Sequence, residues 1–428
     1  MDRYKHIQQQ DKALFDIMVG EEARQHEGLE LIPSENYVSE AVREALASAF
    51  TNKYSEGYPG KRYYGGQEWT DQLERLAITR AKELFSCEFA NVQPLSGAPA
   101  NLAVYSALLE PGDTVLGMSL EHGGHLTHGH PVTHPAKIYN FVRYGIEDTT
   151  TGEIDYDEMR AMAHEHKPKI VLAGFSAYSR ELDYAKIVSI AREVDAIAMM
   201  DAAHIAGLIA GQALQNPFTL KNGDGFDVMT MTTHKSLRGP RGGMILTRNN
   251  KDIAKKIDKS VFPGLQGGPH MNNVAGKAVA FGEALTDNFR SYSAQVIKNA
   301  QAMAEVFIDE GITIVNGGTD NHLLLVDVTK GFADDIDGGK AAQTQLDEIV
   351  ISLNMNVIPN DPKTALDPSG IRFGTPAITT RGMGEDECRE IASIMIGYLR
   401  DTTDTHRESA KSRITDLAKR FPVPRSFV

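Results

Sequence analysis

A lysine stands where an apolar segment of the chain runs into a polar turn, within residues 228–243. Lys235 follows a strand-like run, and the glycines and proline after it indicate a tight turn. An amine that is to form an imine has to lose its proton, and a partly buried site rich in positive charge lowers its pKa. Arg238 and Arg241 lie close to it in sequence. The other interpretation, an exposed lysine in a surface loop, is by far the commoner one for a lysine taken alone.

An acidic residue at the end of another apolar segment favours the interpretation of Lys235 as an imine-forming lysine over that of a surface lysine. Asp201 follows the short buried-looking run 196–200 and precedes Lys235 by 34 positions, which is room for a helix and a return strand. A carboxylate at this point could pair with the pyridinium nitrogen of pyridoxal 5'-phosphate (PLP) and keep that nitrogen protonated. We therefore predict that Lys235 carries PLP as a Schiff base. A helix N-cap, the other interpretation of Asp201, is compatible with this role.

Three further segments could bind anions. Ser96 and Gly97 open a helix with small residues, and main-chain amides at a helix start hold phosphate well. Gly267 and Gly268 belong to a second glycine-rich loop. Each loop is a weak signal alone. Arg372 offers a planar guanidinium that suits an α-carboxylate, although a structural salt bridge is the commoner role for an arginine.

A histidine-rich segment raises the question of a metal site. Five histidines lie close together in it: His122, His125, His128, His130 and His134. No cysteine joins them and their spacing fits no zinc pattern, so we expect no metal. We favour one imidazole stacked on a flat cofactor.

The elements that must position these residues alternate between strands and helices. The pattern predicts strands at 114–118, 137–142, 169–175, 196–200, 227–233 and 244–247, and helices at 69–85, 155–166 and 184–194. Such alternation predicts an α/β fold with a mainly parallel sheet, whose ligands bind at the carboxyl ends of the strands.

The pattern changes near residue 285. A long helix is predicted at 288–311, strands at 313–316 and 323–328, and a final helix at 385–400. We expect an N-terminal arm and large PLP-binding domain over residues 1–285 and a smaller α+β domain over residues 286–428.

Charge and composition favour a small-molecule partner. Lys and Arg total 44 against 57 Asp and Glu, a net charge of −13, which opposes binding to nucleic acid or anionic membranes. The two cysteines, Cys87 and Cys388, do not have the spacing of a metal site. They indicate free thiols in a reducing compartment. The N-terminal segment lacks the apolar stretch of a secretory signal, and no run is long enough to span a bilayer. We expect a cytoplasmic protein.

Several long motifs in order resemble the serine hydroxymethyltransferase family, which belongs to the fold-type I PLP enzymes. The resemblance covers nearly the whole chain, and its most specific segments are residues 31–37, 52–66, 123–129, the Lys235 segment and the setting of Arg372. It implies a seven-stranded, mainly parallel sheet sandwiched by helices. It also implies reversible interconversion of serine and glycine, with tetrahydrofolate and 5,10-methylenetetrahydrofolate as one-carbon acceptor and donor.

The resemblance also implies residue roles. Lys235 would be the Schiff-base lysine, Asp201 the partner of the pyridine nitrogen and His125 the stacking imidazole, with Ser176 and His204 near the phenolic oxygen and Ser96 and Gly97 at the phosphate. Ser34 and Arg372 would grip the substrate carboxylate, and Glu56 would transfer protons with Tyr64 beside it at the substrate. Folate would meet Glu56, Leu120, Gly124, Leu126 and Asn356. Tyr54, Gly267 and Gly268 would reach the phosphate from a neighbouring subunit, which implies a homodimer and leaves a tetramer open.

The chain departs from the usual family pattern at three positions. Ala98 stands where the family usually has a phosphate-binding serine, Leu265 replaces a frequent glycine, and Pro33 replaces a frequent alanine. The departures concern loop geometry and one hydroxyl donor, not the reaction class.

Two other functions stay open on the sequence. A folate-independent PLP aldolase of the threonine or allothreonine type, or an α-methylserine hydroxymethyltransferase, would need the same lysine, acid and arginine. A non-enzymatic RNA-binding role is opposed by the net charge.

Overall fold

The strands that carry Asp201 and Lys235 lie side by side in a central sheet. The computed structural model describes residues 4–426. In spatial order the seven strands of the sheet are Phe89–Asn91, Gly243–Thr247, Val228–Thr232, Ile197–Asp201, Ile170–Gly174, Thr114–Met118 and Asn140–Tyr144. Only Gly243–Thr247 runs antiparallel to its two neighbours. The predicted mainly parallel, seven-stranded sheet is confirmed.

Helices cover both faces of the sheet, so its central strands are buried on both sides and read as unbroken apolar runs. The helices of this part are Glu68–Phe85, Gly97–Leu108, Tyr156–His166, Tyr184–Glu193, Ala206–Ala210, Lys251–Lys259 and Met271–Ala284, with a π-helical turn at Ser260–Leu265. Asp155 and Asp183 begin two of them as N-caps, because their carboxylates accept main-chain N–H groups of the first turn.

A second, three-stranded antiparallel sheet lies in the C-terminal third of the chain, with Gly370–Gly374 between Leu323–Asp327 and Asn354–Asn356. Its helices are Asp287–Asp309, Gly339–Glu348, Pro376–Thr380, Glu385–Arg400 and Asp404–Arg420. A separate apolar core fills this part, and Leu29 and Leu31 of the N-terminal segment join it.

The remaining elements are short or N-terminal. The helices Lys5–Gln10, Lys12–Glu27 and Glu40–Leu46 precede the sheet. Short strand pairs are Leu29–Glu30 with Ile351–Ser352, Gly57–Tyr58 with Lys61–Arg62, and Ile146–Asp148 with Glu153–Ile154. Turns of 3-10 helix occur at Ala49–Asn52, Leu120–His122, Leu126–His128, Pro135–Lys137 and Val315–Gly317.

Three predictions of secondary structure were wrong. Residues 313–316 form no strand beyond one bridge from Ile314 to Val326, because the chain turns there, with Asn316 at a left-handed φ of 66°. The strand predicted from 137 begins at Asn140, after a turn at Pro135–Lys137. The run at 385–400 is not the last helix: Asp404–Arg420 follows, and only four of its side chains are buried.

The division of the chain near residue 285 stays a proposal. Two separate cores support it. The helix Asp287–Asp309 contributes Phe289 and Val296 to the first core and Met303 and Phe307 to the second, so it joins the two parts. Among residues 4–426, no helix has both the length and the apolar character needed to cross a membrane.

Candidate active site

A cavity of about 590 Å³ opens at the carboxyl ends of the parallel strands. It brings together residues from elements that are far apart in the chain. Ten predicted site residues line it: Ser34, Leu120, Gly124, His125, Leu126, Ser176, His204, Lys235, Asn356 and Arg372.

Lys235 lies three residues beyond the strand Val228–Thr232. Its main-chain carbonyl is held by the side-chain amide of Asn36 at 3.1 Å and by the N–H of Arg238 at 3.1 Å. Burial, together with the charges of Arg372 and Arg241, lowers the pKa of Lys235 to about 8, although Asp201 opposes this shift. The interpretation as a freely exposed surface lysine is therefore wrong, because this amine lines a cavity and loses its proton readily.

Asp201 ends its strand with a fully engaged carboxylate. One oxygen accepts the Asn101 amide at 2.8 Å and the Nε2 atom of His128 lies 3.1 Å away, while the other oxygen accepts the N–H of Ala203 at 3.0 Å. Burial alone would raise the pKa of this carboxyl, but the hydrogen bond and charge of His128 and the charge of His125 hold it well below its usual range. Asp201 is not a helix N-cap, since the next helix begins at Ala206 after Ile205.

His125 lines the cavity as a neutral imidazole. Burial lowers its pKa to about 4, and its Nδ1 atom lies 2.7 Å from the Thr127 hydroxyl. Donor atoms of His125, His128 and Asp201 lie within 4.8 Å of one another, a spacing that a metal ion could use. His128 and Asp201 already bond to each other, and His125 bonds to Thr127, so these groups are satisfied without an ion.

His204 and the Ser176 hydroxyl form another wall of the cavity, and His322 contacts His204 from outside the lining. The Nδ1 atom of His204 lies 3.2 Å from Nε2 of His322, and burial lowers the pKa of both imidazoles, that of His322 to about 3. The buried Ser176 hydroxyl has no hydrogen-bond partner among the described residues. An orphaned hydroxyl beside a cavity is a ready donor for a ligand oxygen.

Arg372 lies at the centre of the antiparallel sheet and points into the cavity. Its Nε and Nη2 atoms donate to the side-chain oxygen of Asn354 at 3.2 and 3.1 Å, and Nη1 donates to the carbonyl of Ser176. These acceptors are an amide and a main-chain carbonyl rather than carboxylates, so the interpretation as a structural salt bridge is wrong. The guanidinium stays available to an anionic ligand.

Ser96 and Gly97 form a crowded turn at the start of Gly97–Leu108. A Cβ on Gly97 would lie 2.9 Å from the Thr232 methyl group, and one on Gly243 would lie 2.4 Å from the Ser96 carbonyl oxygen. The Ser96 side chain makes no capping hydrogen bond within the helix. Glycine therefore lets the turn pack closely against its neighbours, and Ser96 and Gly97 stay partly exposed, as a phosphate site at a helix start requires.

Five predicted site residues form a separate cluster that does not line this cavity, although all lie in the described part of the chain. The carboxylate of Glu56 accepts the hydroxyls of Tyr54 at 3.3 Å and Tyr64 at 3.2 Å. A Cβ on Gly268 would touch the Tyr54 ring at 3.2 Å, and one on Gly267 would lie 3.4 Å from Glu56. Tyr54 is 58% exposed and Tyr64 is 47% exposed, so the cluster faces outward within one chain.

The sequence interpretation missed several contacts. It gave no role to Asn101, which stabilises Asp201, or to Asn354 and His322, which hold Arg372 and His204. Of these three residues, only Asn101 could have been found from the sequence. It lies four residues after Gly97 and therefore on the same face of the helix.

The residues present fit PLP. The cavity is lined by an amine with a lowered pKa, a neutral imidazole and an orphaned hydroxyl. Asp201, Ser96 and Gly97 do not line it, but the buried ionised carboxylate of Asp201 lies close enough to act on the charges of Lys235 and His125. The glycine-lined helix start lies beside the same strand ends and provides amides for a phosphate.

Comparison with known proteins gives one consistent family. The serine hydroxymethyltransferase profile matches residues 7–395. Serine hydroxymethyltransferase 1 of Pseudomonas aeruginosa is 52% identical over 425 residues, 99% of this chain and 99% of that protein. Serine hydroxymethyltransferase 2 of Pseudomonas putida is 52% identical over 418 residues, 97% of this chain and 98% of that protein. The serine hydroxymethyltransferase of Alkalilimnicola ehrlichii is 51% identical over 415 residues, 96% of each chain.

These names favour hydroxymethyl transfer over the folate-independent aldolase. A family profile over most of the chain and relatives of this similarity over nearly full length agree with the geometry of the cavity. This chain belongs to the serine hydroxymethyltransferase family.

Proposed function

We propose that the cavity around Lys235 interconverts serine and glycine, passing the one-carbon unit between serine and tetrahydrofolate. The chain is a PLP-dependent one-carbon transferase. When bound, PLP supplies the electron sink for bond breaking at the amino acid's α-carbon. The observation that carries the proposal is a cavity-lining amine of lowered pKa, Lys235, with the ionised buried carboxylate of Asp201 close enough to act on its charge.

Lys235 and Asp201 have complementary tasks in this proposal. The pKa of about 8 gives Lys235 a larger neutral fraction near neutral pH than an ordinary lysine with a pKa of 10.5 has, and this would help it to hold the cofactor covalently. The Asp201 carboxylate is fixed by Asn101 and His128 and would keep a proton on the ring nitrogen of bound PLP. His125 would stack on the ring of bound PLP, and Ser176 and His204 would lie at its phenolic oxygen; all three line the cavity.

The substrate carboxylate binds to Arg372 and Ser34. Asn354 and the Ser176 carbonyl already fix the guanidinium, so little side-chain entropy is lost when a carboxylate binds. Both residues line the cavity that also contains Lys235. This geometry orients the amino group of serine or glycine toward the cofactor.

Folate occupies the outer part of the cavity. Leu120 and Leu126 provide apolar walls, with Gly124 between them and Asn356 offering an amide to the pterin. Leu126 is 46% exposed, which supports a role at the mouth, where a large cosubstrate would cover it.

Proton transfer needs Glu56, and we infer that it comes from a second copy of the chain. Glu56, Tyr54, Tyr64 and Gly267–Gly268 lie outside the cavity of their own chain; Glu56 is partly exposed, and the two tyrosines are exposed. In a homodimer the cluster would complete the partner's site, with Tyr54 and the glycines at the phosphate and Tyr64 beside Glu56 at the substrate. The two tyrosine hydroxyls hold the carboxylate in place for this task.

We also propose that the enzyme works in the cytoplasm. Cys87 and Cys388 are both buried free thiols, which supports a reducing compartment.

The proposal is tested with Lys235→Ala. The variant should lose the covalent link to the cofactor, which borohydride reduction makes permanent in the unaltered protein, and the formation of glycine from serine and tetrahydrofolate. Asp157→Asn, at an exposed position, should keep both and serves as the control. A PLP group that borohydride still fixes to Lys235→Ala would show that another amine holds the cofactor.

A further inference from the structure

Lys277 is a buried charged residue outside the cavity. It lies in the helix Met271–Ala284 and is 1% exposed. Its ammonium donates to three main-chain carbonyls, those of Val92 at 2.7 Å, Pro94 at 3.0 Å and Gly243 at 2.9 Å. An ammonium has three donors, and all three are used. Burying such a charge is costly, so the three carbonyls it joins must be held firmly.

The carbonyls belong to the two segments that form the turn at Ser96. Val92 and Pro94 lead directly into it, and the N–H of Gly243 donates to Pro94 at 3.0 Å. Gly243 also lies so close to the Ser96 carbonyl that a Cβ would meet it at 2.4 Å. Lys277 therefore fixes the junction from which the helix Gly97–Leu108 begins.

The lysine stem touches the segment after Lys235 as well. A Cβ on Gly242 would lie 2.5 Å from Cε of Lys277, so the stem packs directly on that glycine. The N–H of Gly242 donates to Nδ1 of His234 at 3.3 Å, and its carbonyl accepts the N–H of Thr233 at 3.0 Å. One side chain thus supports the phosphate turn and the turn that carries Lys235.

We propose that Lys277 is a positioning residue for the cofactor's phosphate. It acts through the main chain: by clamping Val92, Pro94 and Gly243 it holds the Ser96–Gly97 amides in the orientation that binds phosphate. The inference rests on the proposed function, because it assumes that this helix start receives PLP.

A purely structural role of Lys277 would affect the binding of PLP and of pyridoxal differently from a positioning role. If Lys277 only stabilises packing, its replacement should weaken binding of PLP and of pyridoxal, which has no phosphate, by the same factor. If Lys277 positions the phosphate turn, the loss should concern PLP alone. The ratio of the two dissociation constants separates these cases.

The experiment titrates the apoenzymes with PLP and with pyridoxal for wild type, Lys277→Met, Lys277→Arg and Phe281→Leu. Met keeps the stem but removes the three donors, whereas Arg keeps positive charge and donors. Phe281 is fully buried in the same helix, so Phe281→Leu controls for general loss of packing. Thermal unfolding of each apoenzyme reports whether the variant folds.

We expect Lys277→Met to weaken PLP binding about tenfold or more, the effect of leaving buried carbonyls without a donor, and to change pyridoxal binding by less than about twofold. Lys277→Arg should recover part of the PLP affinity, and Phe281→Leu should leave the ratio unchanged. The proposal would be overturned if Lys277→Met weakened the binding of PLP and of pyridoxal by the same factor, or left the PLP affinity unchanged. It would also be overturned if Lys277→Arg bound PLP no more tightly than Lys277→Met. If Lys277→Met does not fold, the ratio of the PLP and pyridoxal dissociation constants of Lys277→Arg decides between the two roles: a change in PLP binding alone supports positioning, and equal changes or none overturn it. A wild-type protein that binds neither ligand would instead refute the proposed function.

Discussion

Individual residues set the chemistry of this site mainly through burial. The charges of Arg372 and Arg241 act with burial to favour a neutral Lys235, while the nearby Asp201 favours its charged form. The result is an amine that is partly neutral at physiological pH beside an acid that stays ionised. A nucleophile that lines the cavity and a buried anion can therefore lie close to each other.

The lowered pKa of Lys235 predicts how fast the apoenzyme takes up PLP at different pH values. Only the neutral amine attacks the aldehyde, so the rate should rise with pH and level off above about 8. An ordinary lysine, with a pKa of 10.5, would give a rate still rising at pH 10. Stopped-flow absorbance between pH 7 and 10 measures this, a range above the phosphate's own ionisation near pH 6.

The control for this profile is a free lysine derivative mixed with PLP in the same buffers. Its rate should keep rising over the whole range. A profile for the protein that matches the free amine would contradict the lowered pKa.

At the scale of elements, the sheet positions the site by bringing strand ends into contact. Gly174 and Asp201 are paired residues at the ends of adjacent parallel strands. Gly174 has a φ of 124°, and a Cβ there would lie 2.2 Å from the Asp201 carbonyl oxygen. The close approach of the two strand ends therefore requires glycine at this position.

Gly174→Ala should destabilise the protein by about 2–4 kcal/mol, because it combines backbone strain with a steric clash. It should also disturb cofactor absorbance, because the clash falls on Asp201. Gly397→Ala is the matched control: Gly397 is an exposed helical residue with open space around its Cα, so alanine should stabilise by about 0.5–1 kcal/mol. Denaturant unfolding measures both, and equal stabilities of the two variants would refute the close-approach argument.

At the scale of the whole molecule, each chain has two separate groups of predicted site residues. One group lines the cavity around Lys235. The other is the separate cluster that contains Glu56 and Tyr54. A homodimer with shared sites would join the cavity of one copy to the cluster of the other.

This arrangement predicts complementation between inactive variants. When Lys235→Ala and Glu56→Ala are unfolded together and refolded at equal amounts, half of the dimers should be hybrids. Each hybrid has one of its two sites intact, so about a quarter of wild-type activity should return. The measurement is glycine formation from serine and tetrahydrofolate.

The matched control mixes Lys235→Ala with Arg372→Ala. Both residues line the same cavity of one chain, so every site in every dimer stays defective and no activity should return. No recovery in the first mixture, with subunit exchange verified by tagged copies, would contradict a shared site.

The sequence by itself determined the fold class and most of the cavity. Alternating strands and helices predicted the parallel sheet, and strand ends at Asp201 and before Lys235 predicted that the two would meet, because parallel strands end at one edge. The shape of the segment at 313–316 was not predictable, since a left-handed turn at Asn316 breaks an apolar run that reads as a strand.

Only the tertiary structure decided which distant groups support the site and which residues stay outside it. His204 meets His322 across 118 positions and Arg372 meets Ser176 across 196 positions, and no local period encodes such contacts. In the sequence, Lys277 is one of several polar residues in a largely apolar helix, and its role becomes visible only through its three carbonyl partners. The separation of Glu56 from Lys235 within one chain likewise follows from packing, because sequence motifs identify residue types but not the surfaces on which folding leaves them.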